Sequence, residues 1–217
     1  MTRFVLFIES SSVFGDYFLR VLADHDQAEL AAIVVRKAGV LCDYYLDDDP
    51  VDNAVEADRF GVTVLRPTAV NTPEFIDTMR SLRPDYFIVA SYQLRLGETL
   101  LDVPVCDAIN FHPSPLPEYA GLAPFHWMAE NHETEGGVSA VRMTAGLDEG
   151  PLIAQQLLTL RGTETAEEIR ASHFEASWRL FDLVLPTLLD GSYRAWPQEL
   201  SQRTYFGSPS ATTPARG

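Results

Sequence analysis

At 217 residues the chain suits one domain of ordinary size, with enough length to bury a core. Its 46% hydrophobic content is that of a soluble globular protein. A net charge of -15 argues against nucleic acid or an anionic membrane surface as partner, because both demand a basic footprint; a cationic or amine-bearing small substrate suits this balance better.

The apolar run within residues 3–8 is too short for a secretory signal or a membrane span. It reads as a first strand buried on both faces. The chain has two cysteines, Cys42 and Cys106, far apart and in no metal-like spacing. We expect a buried thiol at Cys106 rather than a disulfide, and a cytoplasmic setting. Glu9 and three serines follow the strand, then a helix from Val13 to Leu22. No GxGxxG is present, so a dinucleotide reading gains little. Ser10, Ser11 and Ser12 either cap that helix or hold an anion or polar substrate group at its start.

Residues 30–35 form a second strand candidate, and the acidic stretch 43–52 reads as a solvated loop rather than a cation site. A helix is expected over 53–60 and a third strand over 62–65. Thr72 and Pro73 open the next helix as cap and first residue, which ends near Leu82. Residues 86–90 (YFIVA) are a fourth buried strand, 91–96 a loop, 98–101 a short helix, and 105–109 a fifth strand. This alternation with short connections predicts an α/β fold built on a doubly wound, mostly parallel, Rossmann-like sheet.

The stretch INFHPSPLPEYAG, 109–121, comes next. It is either a proline-stiffened surface loop or a rigid loop holding an amide and an imidazole at a strand's carboxyl end, where open α/β sheets bind ligands. Beyond it we expect a helix over 123–131 and an antiparallel extension, 137–143 with 152–158, closed by the tight loop 144–150. Thr165 begins a capping box for a long helix with an apolar stripe at Ile169, His173, Ala176, Leu180, Val184 and Leu188. His173 belongs to that stripe as a buried imidazole. Residues 193–217 turn polar and Pro-containing, like a tail after a domain spanning 1–192.

The candidate constellation is Asn110, His112 and Asp148. An Asn N–H and a protonated His can stabilise a tetrahedral oxyanion, and a carboxylate such as Asp148 can orient that His and hold its proton. Pro113, Pro115 and Pro117 supply rigidity. A zinc site from His112, His126, His132 and Asp148 lacks metal-motif spacing, and the G-x-S-x-G of many serine hydrolases is missing.

Asn-x-His-Pro-Ser, then Leu-Pro and Tyr-x-Gly, then Gly-Val-Ser and Gly-Leu-Asp-x-Gly further on, resembles the folate-dependent formyltransferase family. Members act on methionyl-tRNA, glycinamide ribonucleotide, amino sugars or hydroxyornithine. The resemblance covers about residues 3–189 and implies the family's fold, with Asn110, His112 and Asp148 as its catalytic Asn, His and Asp. It implies 10-formyltetrahydrofolate as formyl donor and no metal. The pterin would be held by Tyr92, Gln93, Leu94 and Leu96 in one loop and by Thr144, Ala145, Gly146 and Leu147 in another. The acceptor would meet Ser10, Ser11 and Ser12. Two departures stand out: Ala120 replaces a basic residue common in the family, and Glu9 a common glycine. The chain ends soon after its last long helix, with no room for the extra domain of the tRNA enzymes. We therefore expect a small-molecule amine acceptor, free or on a carrier protein, and neither nucleic acid nor membrane. A hydrolase of the same donor, or a folate-binding module without turnover, are the alternatives.

Overall fold

The computed structural model describes residues 1–36 and 51–209; most of the acidic stretch 43–52 and the last eight residues of the expected tail lie outside them. The chain comprises two compact units, Met1–Asn110 and Phe111–Gly217.

The first unit runs β1 (Thr2–Ile8), α1 (Val13–Ala23), β2 (Ala28–Val35), α2 (Asn53–Arg59), β3 (Thr63–Leu65), α3 (Pro73–Leu82), β4 (Tyr86–Ala90), α4 (Glu98–Leu101) and β5 (Asp107–His112), whose last two residues open the second unit. These five strands are all parallel, in the order β3-β2-β1-β4-β5. β1 lies in the middle, and Phe4 to Ile8 are completely buried. Full burial of one large apolar side chain contributes about 1.5–3 kcal/mol, so this run anchors the unit. Phe4 stacks on Tyr86, ring centroids 5.6 Å apart, and Phe7 meets Phe87 and Tyr92 edge-on at 5.0 and 5.4 Å. Thr72 caps α3 by accepting from the Phe75 N–H, with Pro73 in the first turn, as expected.

Two expectations fail at one place. The fifth strand begins at Asp107, not Val105, and Cys106 is exposed rather than buried. The N–H groups of Val105 and Cys106 donate to the carbonyls of Pro84 and Asp85, in the turn before β4. That turn lies at the sheet's rim, which leaves Val105 77% exposed. Apolar residue type there signals no burial.

The second unit continues with β6 (Ala120–Gly121), α5 (Pro124–Glu130), β7 (Glu135–Arg142), β8 (Leu152–Thr159), α6 (Ala166–Leu189), a 3-10 turn (Leu200–Gln202) and β9 (Tyr205–Phe206). β7 and β8 form the expected antiparallel pair, so the sheet's seven strands are mostly parallel. Thr165 and Glu168 close the capping box of α6, and the predicted stripe is buried along its length. His173 lies within it: its Nδ1 donates to the Ile169 carbonyl at 2.8 Å, and its Nε2 accepts from the Gly137 N–H at 3.1 Å. A neutral imidazole satisfies both contacts, and burial pushes its pKa down to about 4.

Candidate active site

β5 ends on the residues of interest. Asn110 is paired in register with Val89 of β4, and His112 is the strand's last residue. Side chains two apart on a strand share a face. His112 is buried, 6% exposed, and its Nε2 is 3.2 Å from the carbonyl oxygen of Tyr119. A carbonyl only accepts, so Nε2 carries the hydrogen. Nδ1 faces Asp148 Oδ1 at 3.7 Å.

The proline loop that follows is held from below. Ser139 on β7, fully buried, donates from Oγ to the Ser114 carbonyl at 2.7 Å and accepts from the Leu116 N–H at 3.1 Å. Gln155 on β8 donates to the Leu116 carbonyl at 2.7 Å and to Ser139 Oγ at 3.0 Å. A Cβ on Gly137 would come within 3.0 Å of Pro115 Cβ and 2.8 Å of the Gln156 carbonyl, so glycine lets the loop settle on the strands. The Leu116–Pro117 peptide is cis. Tyr119 ends the loop at φ 55°; its hydroxyl donates to Glu133 and accepts from Asn131 Nδ2 at 2.8 Å. Burial and the neighbouring Glu133 raise the pKa of that hydroxyl.

Asp148 occupies the tight loop between β7 and β8 at φ 56°. Its side chain is 7% exposed, and Oδ2 accepts from the Gly121 N–H at 2.9 Å. The loop is tight because a Cβ at Gly150 would overlap the Arg142 carbonyl oxygen at 1.7 Å. Only glycine fits. Thr144, Ala145 and Leu147 are exposed, with Leu147 at 47%.

In the first unit, Ser12 is the N-cap of α1, its Oγ accepting from the Gly15 N–H at 3.2 Å. Ser10, Ser11 and Ser12 are all buried. Asn53 Nδ2 donates to the carbonyls of Glu9 and Ser12, and the Asn53 N–H to that of Ser10, so the serine turn is tied to α2. Glu9, 5% exposed, accepts from the Gln93 N–H at 3.3 Å and lies 3.7 Å from Arg36 Nη1. That contact joins the turn after β1 to the loop after β4, which holds Tyr92, Gln93, Leu94 and Leu96. Burial foremost, then the Glu9 carboxylate, raises the pKa of Tyr92, so its hydroxyl stays protonated. Asn71 fixes the exit of this loop through the Arg95 carbonyl and the Gly97 N–H. No cluster of metal-ligating side chains occurs among the described residues, and no described helix is long and apolar enough to cross a membrane.

Sequence reasoning missed Tyr119, Ser139, Gln155, Gln198 and Thr204 as supports of the site. Gly-Val-Ser and Tyr-x-Gly were the available signals for two of them. The other three depend on register and on long-range pairing.

The architecture is thus an α/β chain with an imidazole–carboxylate pair built on loops at strand ends. Residues 2–184 match the model of the formyl transferase family, and the chain belongs to that family. Methionyl-tRNA formyltransferases of Geobacter sulfurreducens and Thermotoga maritima are each 34% identical to it over 149 residues, 69% of this chain. The aligned part is 47% and 48% of those proteins, so the chain spans about half the length of the curated relatives it matches. Among solved structures, an N-formyltransferase from Helicobacter canadensis, in complex with folinic acid and dTDP-3-aminofucose, aligns with TM-score 0.75 at 18% identity. It covers 95% of this chain and 71% of that one. Glycinamide ribonucleotide transformylase 1 from Symbiobacterium toebii aligns with TM-score 0.74 at 20% identity, over 92% and 95% of the two chains. These likenesses establish the fold.

Proposed function

We propose that this chain is an N-formyltransferase that moves a formyl group from 10-formyltetrahydrofolate to the amine of a small molecule. The observation that carries the reading is the facing of His112 Nδ1 and Asp148 Oδ1 in a chain of the formyl transferase family. The donor supplies an activated formyl group on nitrogen. The residues present fit it: Tyr92 Oη is buried with no hydrogen-bond partner among the described residues, and the exposed loop 144–147 offers backbone groups and the Leu147 side chain. Tyr92 to Leu96 and Thr144 to Leu147 would hold the pterin, and Ser10 to Ser12 would adjoin the acceptor.

Asn110 supplies an N–H donor, and a doubly protonated His112 its positive charge, to the negative charge that develops on the formyl oxygen as an amine attacks. Asp148 stabilises the cationic ring through Nδ1 and takes part in moving the amine's proton towards the departing nitrogen. The relatives named for methionyl-tRNA raise a nucleic-acid acceptor. A charge of -15 weighs against it, since binding to phosphates needs a matching positive surface.

Incubating the protein with 10-formyltetrahydrofolate and a panel of amino sugars, amino acids and hydroxylamines tests this, with tetrahydrofolate followed by absorbance and products by mass. Amine-dependent tetrahydrofolate release with a product heavier by one formyl group is the expected result. Formate release without any amine would show a hydrolase, and donor binding without turnover a silent module.

A further inference from the structure

The segment after α6 is polar and largely exposed, yet its hydrogen bonds converge on the two loops of the candidate site. Gln198 Nε2 donates to the carbonyls of Asp148 and Gly150, at 2.9 and 2.6 Å. One amide nitrogen thus bridges the residues on either side of Glu149. Arg203 Nη2 donates to the Leu147 carbonyl at 3.1 Å and lies 3.6 Å from the Glu149 carboxylate. The carbonyls of Leu147, Asp148 and Gly150 are therefore all held by this one segment.

The same segment holds the other loop. Thr204 Oγ1 accepts from the Tyr119 N–H at 2.8 Å, and the Thr204 carbonyl from the Ala120 N–H at 3.0 Å. The Leu122 N–H donates to the Phe206 carbonyl at 2.8 Å, and the Phe206 ring stacks on Tyr119 at 4.9 Å. Tyr119 in turn presents its carbonyl to His112 Nε2.

We propose that residues 198–206 form a strap that sets the distance between His112 and Asp148, and that Gln198 is its chief positioning residue. This rests on the catalytic reading of Asp148. Two features single out Gln198. Asp148 sits at φ 56°, a left-handed conformation uncommon for an L-residue, and one of the two bonds from Gln198 lands on its own carbonyl. Further, Gln198 Oε1 is buried without a hydrogen-bond partner among the described residues. The amide sits there for its donors, at the expense of its acceptor. Among the described residues Gln198 bonds backbone carbonyls of this loop alone, so it acts through Asp148.

The test uses Gln198→Met, similar in shape but without donors, and Gln198→Glu, whose carboxylate would oppose two carbonyl oxygens. We expect kcat to fall about 10- to 100-fold in Gln198→Met and further in Gln198→Glu, with KM for donor and amine little changed, as a 1 Å misplacement predicts. In the Asp148→Asn background, Gln198→Met should cost little more, because coupled residues are non-additive. The imidazole ¹⁵N resonances of His112 should shift in Gln198→Met while those of His173 stay. Parent-like kcat with unmoved His112 resonances overturns the proposal, as does a loss in Gln198→Met that simply adds to that of Asp148→Asn. If Asp148→Asn is itself fully active, the proposed function fails, and the ¹⁵N shifts alone still decide whether Gln198 places the pair. Should Gln198→Met not melt cooperatively, Arg203→Met carries the same measurements, with the same outcomes supporting or overturning the strap.

Discussion

The N–H of Gly121 donates to Asp148 Oδ2 at 2.9 Å, and this bond ties the end of the proline loop to the Asp148 loop. Gly121 has φ 100°, and a Cβ there would lie 2.2 Å from the Phe206 carbonyl oxygen. Neither the conformation nor the space admits a side chain. Gly121→Ala should therefore destabilise the fold by about 2–3 kcal/mol and lower turnover at least about tenfold by shifting Asp148. A urea melt and steady-state kinetics read the two effects; wild-type values for both would show that the bond has no role.

Asp148→Asn separates charge from geometry. The amide oxygen can still accept from Gly121, but the carboxylate opposite His112 Nδ1 is gone. We expect turnover to drop by about 10²–10⁴, as for other carboxylates that hold a catalytic histidine, with the melting temperature nearly unchanged. Near-parent turnover would refute the role given to the pair.

His173 predicts a pH dependence of stability. Its folded pKa of about 4 lies below the ordinary 6.5, so the unfolded chain takes up the proton first. The contribution is complete above pH 6.5 and is lost as pH falls from there towards 4, where both states are protonated. At 1.36 kcal/mol per pKa unit the whole effect is about 3 kcal/mol. His173→Gln, whose amide oxygen can accept from the Gly137 N–H, should flatten this slope in denaturant melts at pH 7, 5.5 and 4.5. An unaltered slope would assign the dependence to other groups.

Glu9 and Arg36 offer a contrast between removing one charge and removing two. Both are at least nine-tenths buried, and breaking such a pair leaves a buried charge behind. Glu9→Gln should destabilise by about 3 kcal/mol, whereas Glu9→Gln with Arg36→Met should recover much of that loss. Equal stability of the single and double variants in chemical melts would contradict this.

Much of this was legible in the sequence. β4, from Tyr86 to Ala90, was read to the residue because five residues, mostly β-branched and aromatic, between turn signals favour a strand over a helix. α3 and α6 announced their starts through Thr72 and Thr165, whose side chains cap the first turn. Motif singled out Asn110, His112 and Asp148 as candidates, and of these His112 and Asp148 face each other. What escaped depends on pairing across long stretches of chain. Ser139 looked like one more small residue in an alternating strand; its two bonds to the proline loop require knowing which face of β7 that loop crosses. Gln198 and Thr204 lie in a segment whose composition says only that it is polar. Cys106 was misplaced because residue type was taken for burial at the sheet's rim.

The strap follows both motif loops and α6 along the chain, and this gives the molecule an order of assembly. During synthesis, both motif loops and α6 leave the ribosome before residues 198–206 do. A nascent chain that has reached residue 195 holds His112 and Asp148 but none of the hydrogen bonds from Gln198, Arg203 or Thr204. Under the proposed function, the pair would be set only once residues 198–206, which carry none of the reacting groups, had joined the chain.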